Sequence, residues 1–518
     1  MSHTSGTATS YTDLLDRLDQ FLINTGHAWG KKFTGTGTGN LTAYNGTATS
    51  VAETWTLTAI NATTFSVSGS VSGAQANATV GTPYTAARIA FTITAGGTAY
   101  VAGDVWTINT SPKWLRLRRA GCAGQEKRTT NLANEANLYD GSTATRAARA
   151  ATTAFIEYEM IAPTEVREFV LQAYLTANSP AAFSLDWKDN AGDSWTTAQS
   201  WSGQTWSDNQ TRVYTLTTAP GAHRFWRFNI TASTGSTLEF STFNLREQVN
   251  QLYTLHERAE YVWSAPGLGG TSTIYVGAET YGSVDFDTYN FGLTGFRTWN
   301  STLPAAAQAN PTSMRYLSLV NASISYWIVA NGQRFILVTK NNSVYQIAYA
   351  GFGLPYEPPS AHAYPMIVGA TSSGRTVRYS DQNAYFRFPI DPGRYGLAAM
   401  FPDAQWRDFS NRFSGTGEGV ADTVVAAHVY PTFLTQAGLQ LTFYRSGVDD
   451  TTRLLMPCVL GNMLAAPYHI WGEFEGLYWT PGYSVASESL IQESRFDHLV
   501  VQNVFRVAAQ NYGAVRLD

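Results

Sequence analysis

Short segments in which apolar and polar residues alternate dominate the chain. A period of two places every second side chain on the same face of a strand, and Gly, Asn and Pro turns separate the segments. Residues 10–24 instead repeat at helical spacing. The apolar face of this segment comprises Leu14, Leu15, Leu18, Phe21 and Leu22. Ser10 or Thr12 can cap the helix and Gly26 can end it. The pattern predicts a mostly β, multidomain protein of antiparallel sandwich or jelly-roll modules with one N-terminal amphipathic helix.

Residues 33–110 form a region of distinct character. They include only three charged residues, Glu53, Arg88 and Asp104, and are rich in Thr, Ala, Gly and Val. Segments such as TWTLTAI and RIAFTITA alternate with a period of two. The Gly-Thr run at 35–39 is not a phosphate loop, because no helical pattern follows it. We predict a small antiparallel β-module here.

Residues 128–248 predict a second β-module. Strands are legible at AFIEYEMI, REFVLQAY, FSLDWKD, RVYTLTT, HRFWRFNIT and LEFSTFNLRE. In the fifth of these, Trp226, Phe228 and Ile230 share one face. The opposite face carries Phe225, Arg227 and Asn229. Short, regularly spaced strands of this kind indicate a sandwich or jelly roll.

Residues 255–518 are more aromatic and continue the strand pattern. YVWSA, STIYVGAETY, SYWIVANGQRFILVTK and SVYQIAYAGFGLP read as strands. Asn331-Gly332 predicts a tight hairpin turn between two of them. Pro355 and the Pro358-Pro359 pair predict a stiff loop after the last, because proline fixes its own φ and cannot donate to a ladder.

Composition narrows the function classes. Charged residues make up 14 % of the 518 residues, whereas about 25 % is typical of soluble domains. A surface that neighbours cover cannot carry many unpaired charges, so this composition favours large assemblies. The net charge of -4 argues against a nucleic-acid binder. Two cysteines, Cys122 and Cys458, and an N-terminus without signal-peptide character predict assembly in a reducing cytoplasm, with no membrane span.

Residues 128–248 resemble a discoidin-like, galactose-binding-like domain. The likeness rests on the D-G-x-x-x-T loop from Asp140 to Thr145, followed by FIEYEMIAPTEV, FSLDWKDNAGDSWTTAQSWSG and HRFWRFNIT. The family often places a Trp soon after the D-G loop, and this chain has RAARA from Arg146 to Ala150 instead. The resemblance implies a jelly roll. It does not by itself assign the family's ligand site to this chain, because the RAARA stretch lacks the Trp.

That resemblance also implies candidate ligands. In the family, loops at one end of the jelly roll bind glycans, and the D-G loop often holds calcium, for which Asp140 and Thr143 are the matching residues. Trp195, Trp201 and Trp206 lie in a Gly- and Ser-rich stretch and could stack on sugar rings. The alternatives are that these three tryptophans contact a neighbouring subunit or pack in the sandwich.

The remaining regions resemble bacteriophage proteins. TFSVSGSVSG and IAFTITAGGTAYVAGDVWTI, within 33–110, are similar to small β-modules of phage tail and decoration proteins. IYVGAETY, YWIVANGQRFILVTK, YQIAYAGFGLPY and the terminal HLVVQNVFR…AVRLD are similar to tail or baseplate virion proteins. We therefore predict a discontinuous core domain of residues 1–32, 111–127 and 249–518, which carries the modules 33–110 and 128–248 as insertions.

Catalytic motifs are not evident in the sequence. The eight histidines form no zinc motif, and no G-x-S-x-G elbow occurs. Glu473 and Glu475 would share one face of a strand, which leaves a glycan-cleaving tailspike as the weakest alternative. The leading expectation is a non-enzymatic, homo-oligomeric (trimeric or hexameric) structural subunit of a phage tail or baseplate, without a cofactor apart from that calcium. The second is a tail adhesin that binds host glycan.

Overall fold

The structure, a computed structural model, is almost entirely β. It describes residues 2–117, 125–138, 145–246, 257–267, 272–283, 287–301, 303, 305–342, 344–372, 374, 377–380, 396–409, 428–430, 455–462, 469–480, 486–493, 495–501 and 512–517. Within these ranges there is one α-helix, and it lies at the N-terminus. The predicted fold class is confirmed.

The helix and the strands fall into four stretches of the chain. Residues 2–117 contain β1 Ser2–Ala8, α1 Tyr11–Asn24, β2 His27–Thr34, β3 Leu41–Gly46, β4 Glu53–Ala59, β5 Thr64–Gly69, β6 Gly73–Thr79, β7 Pro83–Thr85, β8 Ile89–Ile93, β9 Val105–Ser111 and β10 Leu115–Leu117. Residues 125–246 contain β11 Gln125–Thr130, β12 Ala147–Arg149, β13 Ala154–Glu165, β14 Glu168–Ala173, β15 Pro180–Lys188, β16 Thr196–Trp201, β17 Thr211–Thr215, β18 Ala222–Ser233 and β19 Leu238–Arg246. Residues 257–355 contain β20 Glu257–Pro266, β21 Thr273–Ser283, β22 Thr288–Phe296, β23 Arg315–Leu319, β24 Ile324–Ala330, β25 Arg334–Asn341, β26 Val344–Phe352 and β27 Leu354–Pro355. The remainder contains β28 Met366–Gly369, β29 Leu397–Met400, β30 Trp406–Phe409, β31 His428–Tyr430, β32 Met456–Asn462, β33 His469–Thr480, β34 Leu490–Glu493, β35 Phe496–Val501 and β36 Tyr512–Arg516.

Three stacked sheets form the core domain. The central sheet has the order β1-β24-β25-β26-β28-β29-β30. One of its faces packs against α1 and the sheet β10-β20-β21-β22-β23, and the other packs against the sheet built from β31 to β36. Along β25, Phe335 and Leu337 enter the first interface, and Ile336 and Val338 enter the second. A strand buried on both faces is continuously apolar, which is how FILV reads.

The N-terminal segment completes this core. β1 pairs antiparallel with β24 along its whole length, from Ser2 opposite Ala330 to Ala8 opposite Ile324. The Oγ of Ser10 accepts the amide of Asp13 at 3.1 Å and caps α1, as predicted. The cluster beneath the helix includes Leu14, Leu15, Leu18 and Leu22.

Gly26 does not end the helix, contrary to the prediction. Thr25, in an extended conformation, is the residue that follows the last helical turn. Gly26 is instead required by close approach, because a Cβ there would lie 2.5 Å from the carbonyl oxygen of Ser111. The position of Gly26 just after the helix suggested a helix-ending role, but the need for glycine there comes from the close approach of Ser111 on a distant strand.

A buried ion pair joins three separate segments of the chain. The carboxylate of Asp19, on α1, is fully buried. It accepts the Nε of Arg116 at 2.7 Å and the indole N–H of Trp263 at 2.8 Å, and it forms an ion pair with the same guanidinium. Nearby, the indole of Trp114 donates to the carbonyl of Asn331, in the predicted hairpin turn, at 2.9 Å. Residues on either side of both inserted modules therefore meet in one core.

The first inserted module consists of the sheets β2-β9-β4-β5-β6 and β3-β8-β7. The strand His27–Thr34, which overlaps the predicted start of the module, pairs with Val105–Ser111. The Gly-Thr run is organised internally, because Asp104 accepts the amides of Thr36 and Gly37, both at 2.9 Å. The amides of Thr36 and Gly37 are thus already hydrogen-bonded within the module and are not left open to a phosphate group.

The second inserted module is a two-sheet sandwich, here called the jelly-roll module. The sheet β11-β13-β18-β15-β16 packs on the sheet β12-β19-β14-β17. β11 pairs at Gln125 with Met160, and β19 pairs at Arg246 with Glu168, so the chain enters and leaves the module at the same end. Just outside, β10 pairs with β20, which closes the core across the insertion.

The helix of the described ranges is neither long nor apolar enough to span a membrane. Of the two cysteines, Cys458 is buried with a free thiol, and Cys122 lies outside the described residues.

We expect Arg116→Met to lower the free energy of unfolding by about 3–5 kcal/mol, because it leaves the Asp19 carboxylate buried without its counter-charge. Urea unfolding followed by tryptophan fluorescence measures this. Arg17→Met is the matched control, since Arg17 pairs with Asp13 on the surface at 3.1 Å and its loss costs about 0.3–0.5 kcal/mol. Equal effects of the two variants would contradict the proposed importance of the buried pair.

His27 makes folding sensitive to acid. Its ring is fully buried at 5.2 Å from that of Phe21, and burial lowers its pKa from 6.5 to about 4. Between these pH values the unfolded state binds a proton that the folded state does not. Stability should therefore fall as the pH drops from 6.5 to 4 and then level off, by at most about 3 kcal/mol. His27→Gln should remove this part of the pH dependence of the free energy of unfolding, as measured by urea titrations. If the variant shows the same pH dependence as the unmodified protein, His27 is not its cause.

Candidate functional site

The five-stranded sheet of the jelly-roll module turns one face to the core and the other outward. On its central strand β18, Trp226, Phe228 and Ile230 are buried in the sandwich, as their period-two spacing predicts. Phe225 and Arg227 lie on the opposite face and are half-buried. This opposite face is here called the outer face, and it carries the candidate site.

Trp195 lies over the outer face. It ends the loop between β15 and β16, and its indole is half-buried. The Nζ of Lys188 and the guanidinium carbon of Arg227 each lie 4.6 Å from the centre of its ring system. Both cations belong to residues of the outer face.

A hydrogen-bonded layer lies beneath this indole. The Nη2 of Arg227 donates to the Oδ2 of Asp186 at 2.9 Å, and the hydroxyl of Thr197 donates to Oδ1 at 2.9 Å. Asp186 is 1 % exposed, whereas the side chain of Arg227 retains 23 %. A buried carboxylate needs such partners, and in return it fixes the orientation of the guanidinium. The guanidinium of Arg227, which contacts the indole of Trp195, is therefore held in a fixed orientation by Asp186.

The loop that carries Trp195 is anchored at its base. The Nδ1 of His223 lies 2.9 Å from the Oδ1 of Asp189, and its Nε2 lies 3.0 Å from the carbonyl oxygen of Pro220. The imidazole stacks on the indole of Trp187, with ring centres 3.4 Å apart. Within the loop, Asp193 accepts the amide of Asn190 at 2.9 Å. These contacts stabilise the approach of the loop to the sheet.

The other two predicted sugar-stacking tryptophans are placed differently. Trp206 is 5 % exposed, and its indole N–H donates to the carbonyl of Pro180 at 2.7 Å. Trp201 packs edge-on against Phe169 at 5.1 Å, on the rim of the sandwich core. The structure does not bring the three tryptophans together, and Trp195 alone of them lies over the outer face.

The loop end opposite the chain entry offers a second polar cluster. The Nε of Arg146 lies 3.0 Å from a carboxylate oxygen of Glu239, and its guanidinium carbon lies 4.6 Å from the ring of Tyr174. The amide of Asn178 also donates to Glu239, at 3.3 Å. These groups are engaged with one another.

The predicted calcium ligands Asp140 and Thr143 lie outside the described residues. Among the residues that the structure does describe, no group of three or more His, Cys, Asp or Glu side chains is placed to hold a metal ion.

The paired glutamates of β33 lie in the core domain, in unlike surroundings. Glu475 forms an ion pair with Arg334, which is 4 % exposed. Glu473 accepts the hydroxyl of Tyr356 at 3.3 Å, and burial raises the pKa of its carboxyl. A cleft of about 240 Å³, including its open mouth, adjoins Glu473 and is lined by apolar groups that include Trp471.

Sequence reasoning missed most of the supporting residues. Period-two alternation placed Phe225, Arg227 and Asn229 on one face, but it did not show that the loop carrying Trp195 would lie over that face. Lys188 and Asp186 fall on the same face of FSLDWKD, so the same pattern could have found them. His223 had no sequence signal, because its partners come from two other loops.

No family model matches this sequence, and no curated protein matches it. Solved structures do match. The family 32 carbohydrate-binding module of Streptococcus pneumoniae EndoD is 14 % identical over 25 % of this chain and 100 % of that chain, with a TM-score of 0.21. An F5/8 type C domain of a Bacteroides fragilis protein is 13 % identical over 27 % of this chain and 98 % of that one, with a TM-score of 0.21. A family 32 module from Clostridium perfringens, in complex with GalNAc-β-1,3-galactose, is 12 % identical over 23 % of this chain and 93 % of that one, with a TM-score of 0.20. The likeness covers about a quarter of this chain, and at these scores it says nothing about a ligand.

Proposed function

We propose that this protein binds carbohydrate on the outer face of the jelly-roll module, with Trp195 as the stacking platform. The observation that carries the proposal is the half-buried indole held over Lys188 and Arg227, each 4.6 Å from its ring centre. The exposed part of an indole that is held in this way is a surface for a flat, partly apolar ligand.

The surrounding groups suit a sugar. A pyranose ring presents apolar C–H groups on its faces and hydroxyl groups around its rim. The indole can contact the C–H groups, and the guanidinium of Arg227 lies 4.6 Å from its ring centre, where its N–H groups can bond hydroxyls. Glu157 lies opposite Arg227 in register and adds a carboxylate to the same face. Arg227 is already fixed by Asp186, so little side-chain entropy is lost when it bonds a ligand.

A single site built around one indole gives modest affinity. Several copies of the site joined in one particle can raise the overall affinity about 10²–10⁴-fold without any new contact. This links carbohydrate binding to our second proposal, that the chain is a homo-oligomeric, non-enzymatic subunit of a bacteriophage tail or baseplate, assembled in the host cytoplasm with other tail proteins. In that setting the jelly-roll module would be an adhesin for host-surface glycan, and its D-G loop would hold the calcium that the family resemblance implies.

Two features support the assembly proposal. The low fraction of charged residues, 14 %, suits surfaces that neighbouring subunits cover. The discontinuous core, closed by the Asp19–Arg116 pair, would provide a rigid base from which the jelly-roll module extends. Because the module enters and leaves the core at one end, its outer face need not take part in subunit contacts.

Trp195→Ala should weaken carbohydrate binding about 30-fold, since truncating a central aromatic contact costs about 2 kcal/mol. The measurement is retardation of the full-length protein in native gels cast with hydroxyethylcellulose, galactomannan, galactan or polygalacturonate. The folded state of the variant is checked by its urea unfolding curve.

Tyr174→Ala is the matched control, because it removes an aromatic ring from the loop end opposite the chain entry. It should leave retardation unchanged. If Tyr174→Ala abolishes retardation and Trp195→Ala does not, the sugar site is at the loop end and the outer-face assignment is wrong. If no glycan retards the unmodified protein, the carbohydrate proposal itself fails.

The assembly proposal has a separate test. We expect light scattering of the purified protein to give a defined trimer or hexamer, and antibodies against it to label phage particles at the tail. A monomer that is absent from particles would contradict a role in the virion and leave a free carbohydrate-binding protein.

A further inference from the structure

The outer face extends well beyond Trp195. Strand pairing arranges its side chains in three rows that run across the sheet. The first row is Phe155, Asn229, Ser184 and Ser200; the second is Glu157, Arg227, Asp186 and Thr197; the third is Glu159, Phe225 and Lys188. Rows two residues apart are about 6.7 Å from each other, so the first and third are about 13 Å apart.

Aromatic rings stand at both limits of this face. Phe155 belongs to the first row and Phe225 to the third, and both are half-buried. Neither belongs to the core cluster of the sandwich, whereas their sequence neighbours Ile156 and Trp226 do. The indole of Trp195 lies over Arg227 and Lys188, which belong to the second and third rows. The three rings are thus spread from the first row to the third, a distance longer than a single pyranose ring.

The charges of this face nearly cancel. Arg227 pairs with Asp186 at 2.9 Å, and Arg224 pairs with Glu159 at 3.1 Å. Lys188 and Glu157 add one charge of each sign, and Lys127 of β11 lies opposite Glu159 in register. A surface on which charges of both signs nearly cancel attracts an acidic ligand only weakly at long range. Stacking and hydrogen bonding to neutral hydroxyls are what this surface offers.

We infer that the outer face binds the interior of an extended, neutral polysaccharide, with Phe155, Trp195 and Phe225 as successive contacts for linked sugar rings. This inference rests on the proposed carbohydrate-binding function and specifies its ligand class. An open sheet face lets a chain pass across it in both directions. A site for a terminal sugar would enclose the ring, because most of a small ligand must be buried for useful affinity.

The test is a length series. The neutral polysaccharide that retards the protein most in hydroxyethylcellulose, galactomannan and galactan gels is partially hydrolysed, and its oligosaccharides are separated from the monosaccharide upward. Titration calorimetry with the full-length protein measures each affinity. We expect affinity to rise at least about tenfold from the monosaccharide to the longer oligosaccharides and then to reach a plateau.

Variants locate the outer contacts. The double variant Phe155→Ala/Phe225→Ala should lose most of the gain with length, while its affinity for the shortest ligand, held by Trp195, stays the same. Val213→Ala is the matched control, since Val213 is an exposed apolar residue of β17, on the other sheet of the module. It should bind the whole series as the unmodified protein does.

The outcomes separate this inference from the function on which it rests. If the monosaccharide binds as tightly as every longer oligosaccharide and Trp195→Ala abolishes that binding, the protein binds carbohydrate but recognises single sugars, and the polysaccharide inference is overturned. If polygalacturonate is bound more tightly than every neutral polymer and that binding weakens with salt, the assignment to neutral chains is wrong. If no member of the series binds, the proposed function has failed first.

Discussion

The architecture depends on one buried carboxylate. Asp19 lies on the N-terminal helix, Arg116 precedes the jelly-roll module and Trp263 follows it. All three meet at the Asp19 carboxylate, which has no exposed surface. A carboxylate without exposure is tolerated only where hydrogen bonds and a counter-charge compensate its desolvation. The chain must therefore bring these segments together before the core can close, although two whole modules separate the helix from Trp263. Burial of the leucine face of α1 provides the driving force, and the ion pair fixes the geometry.

This constraint explains how the protein carries two insertions without loss of its core. The first module enters and leaves through the paired strands β2 and β9, and the second is spanned by the pairing of β10 with β20. In both cases the ends of the insertion are adjacent, so each module can fold around its own apolar cluster. The first module also contacts the core: Lys31, which is 3 % exposed, donates to the carbonyl oxygen of Arg495.

The position of the candidate sugar-binding face depends on which side of the five-stranded sheet is buried in the sandwich. One side of the five-stranded sheet forms the sandwich interior, and the other side carries the site that we propose for carbohydrate. There, ion pairs serve a positional purpose: Asp186 and Arg227 compensate each other beneath Trp195 and keep the guanidinium against the indole. Because the carboxylate of Asp186 is buried, much of the attraction in this pair offsets the cost of its desolvation. In the proposed binding of carbohydrate, the pair keeps Arg227 in place, which lowers the entropy lost on binding.

Particular residues show which features of the structure the sequence predicted. The spacing of Leu14, Leu15, Leu18 and Leu22 determined the helix and its buried face, and alternation along β18 determined that Phe225 and Arg227 would face away from the sandwich core, because these periods are local properties of the backbone. Composition and period could not determine which tryptophans would be buried. Trp195, Trp201 and Trp206 lie in one Gly- and Ser-rich stretch, yet Trp206 bonds the carbonyl of Pro180 inside the module and Trp195 lies over cations of two other strand positions. The sequence by itself determined the strands, their faces and the helix. The tertiary structure alone decided which loop covers which face and which distant segments share the Asp19 site, because those contacts join residues that no local pattern relates.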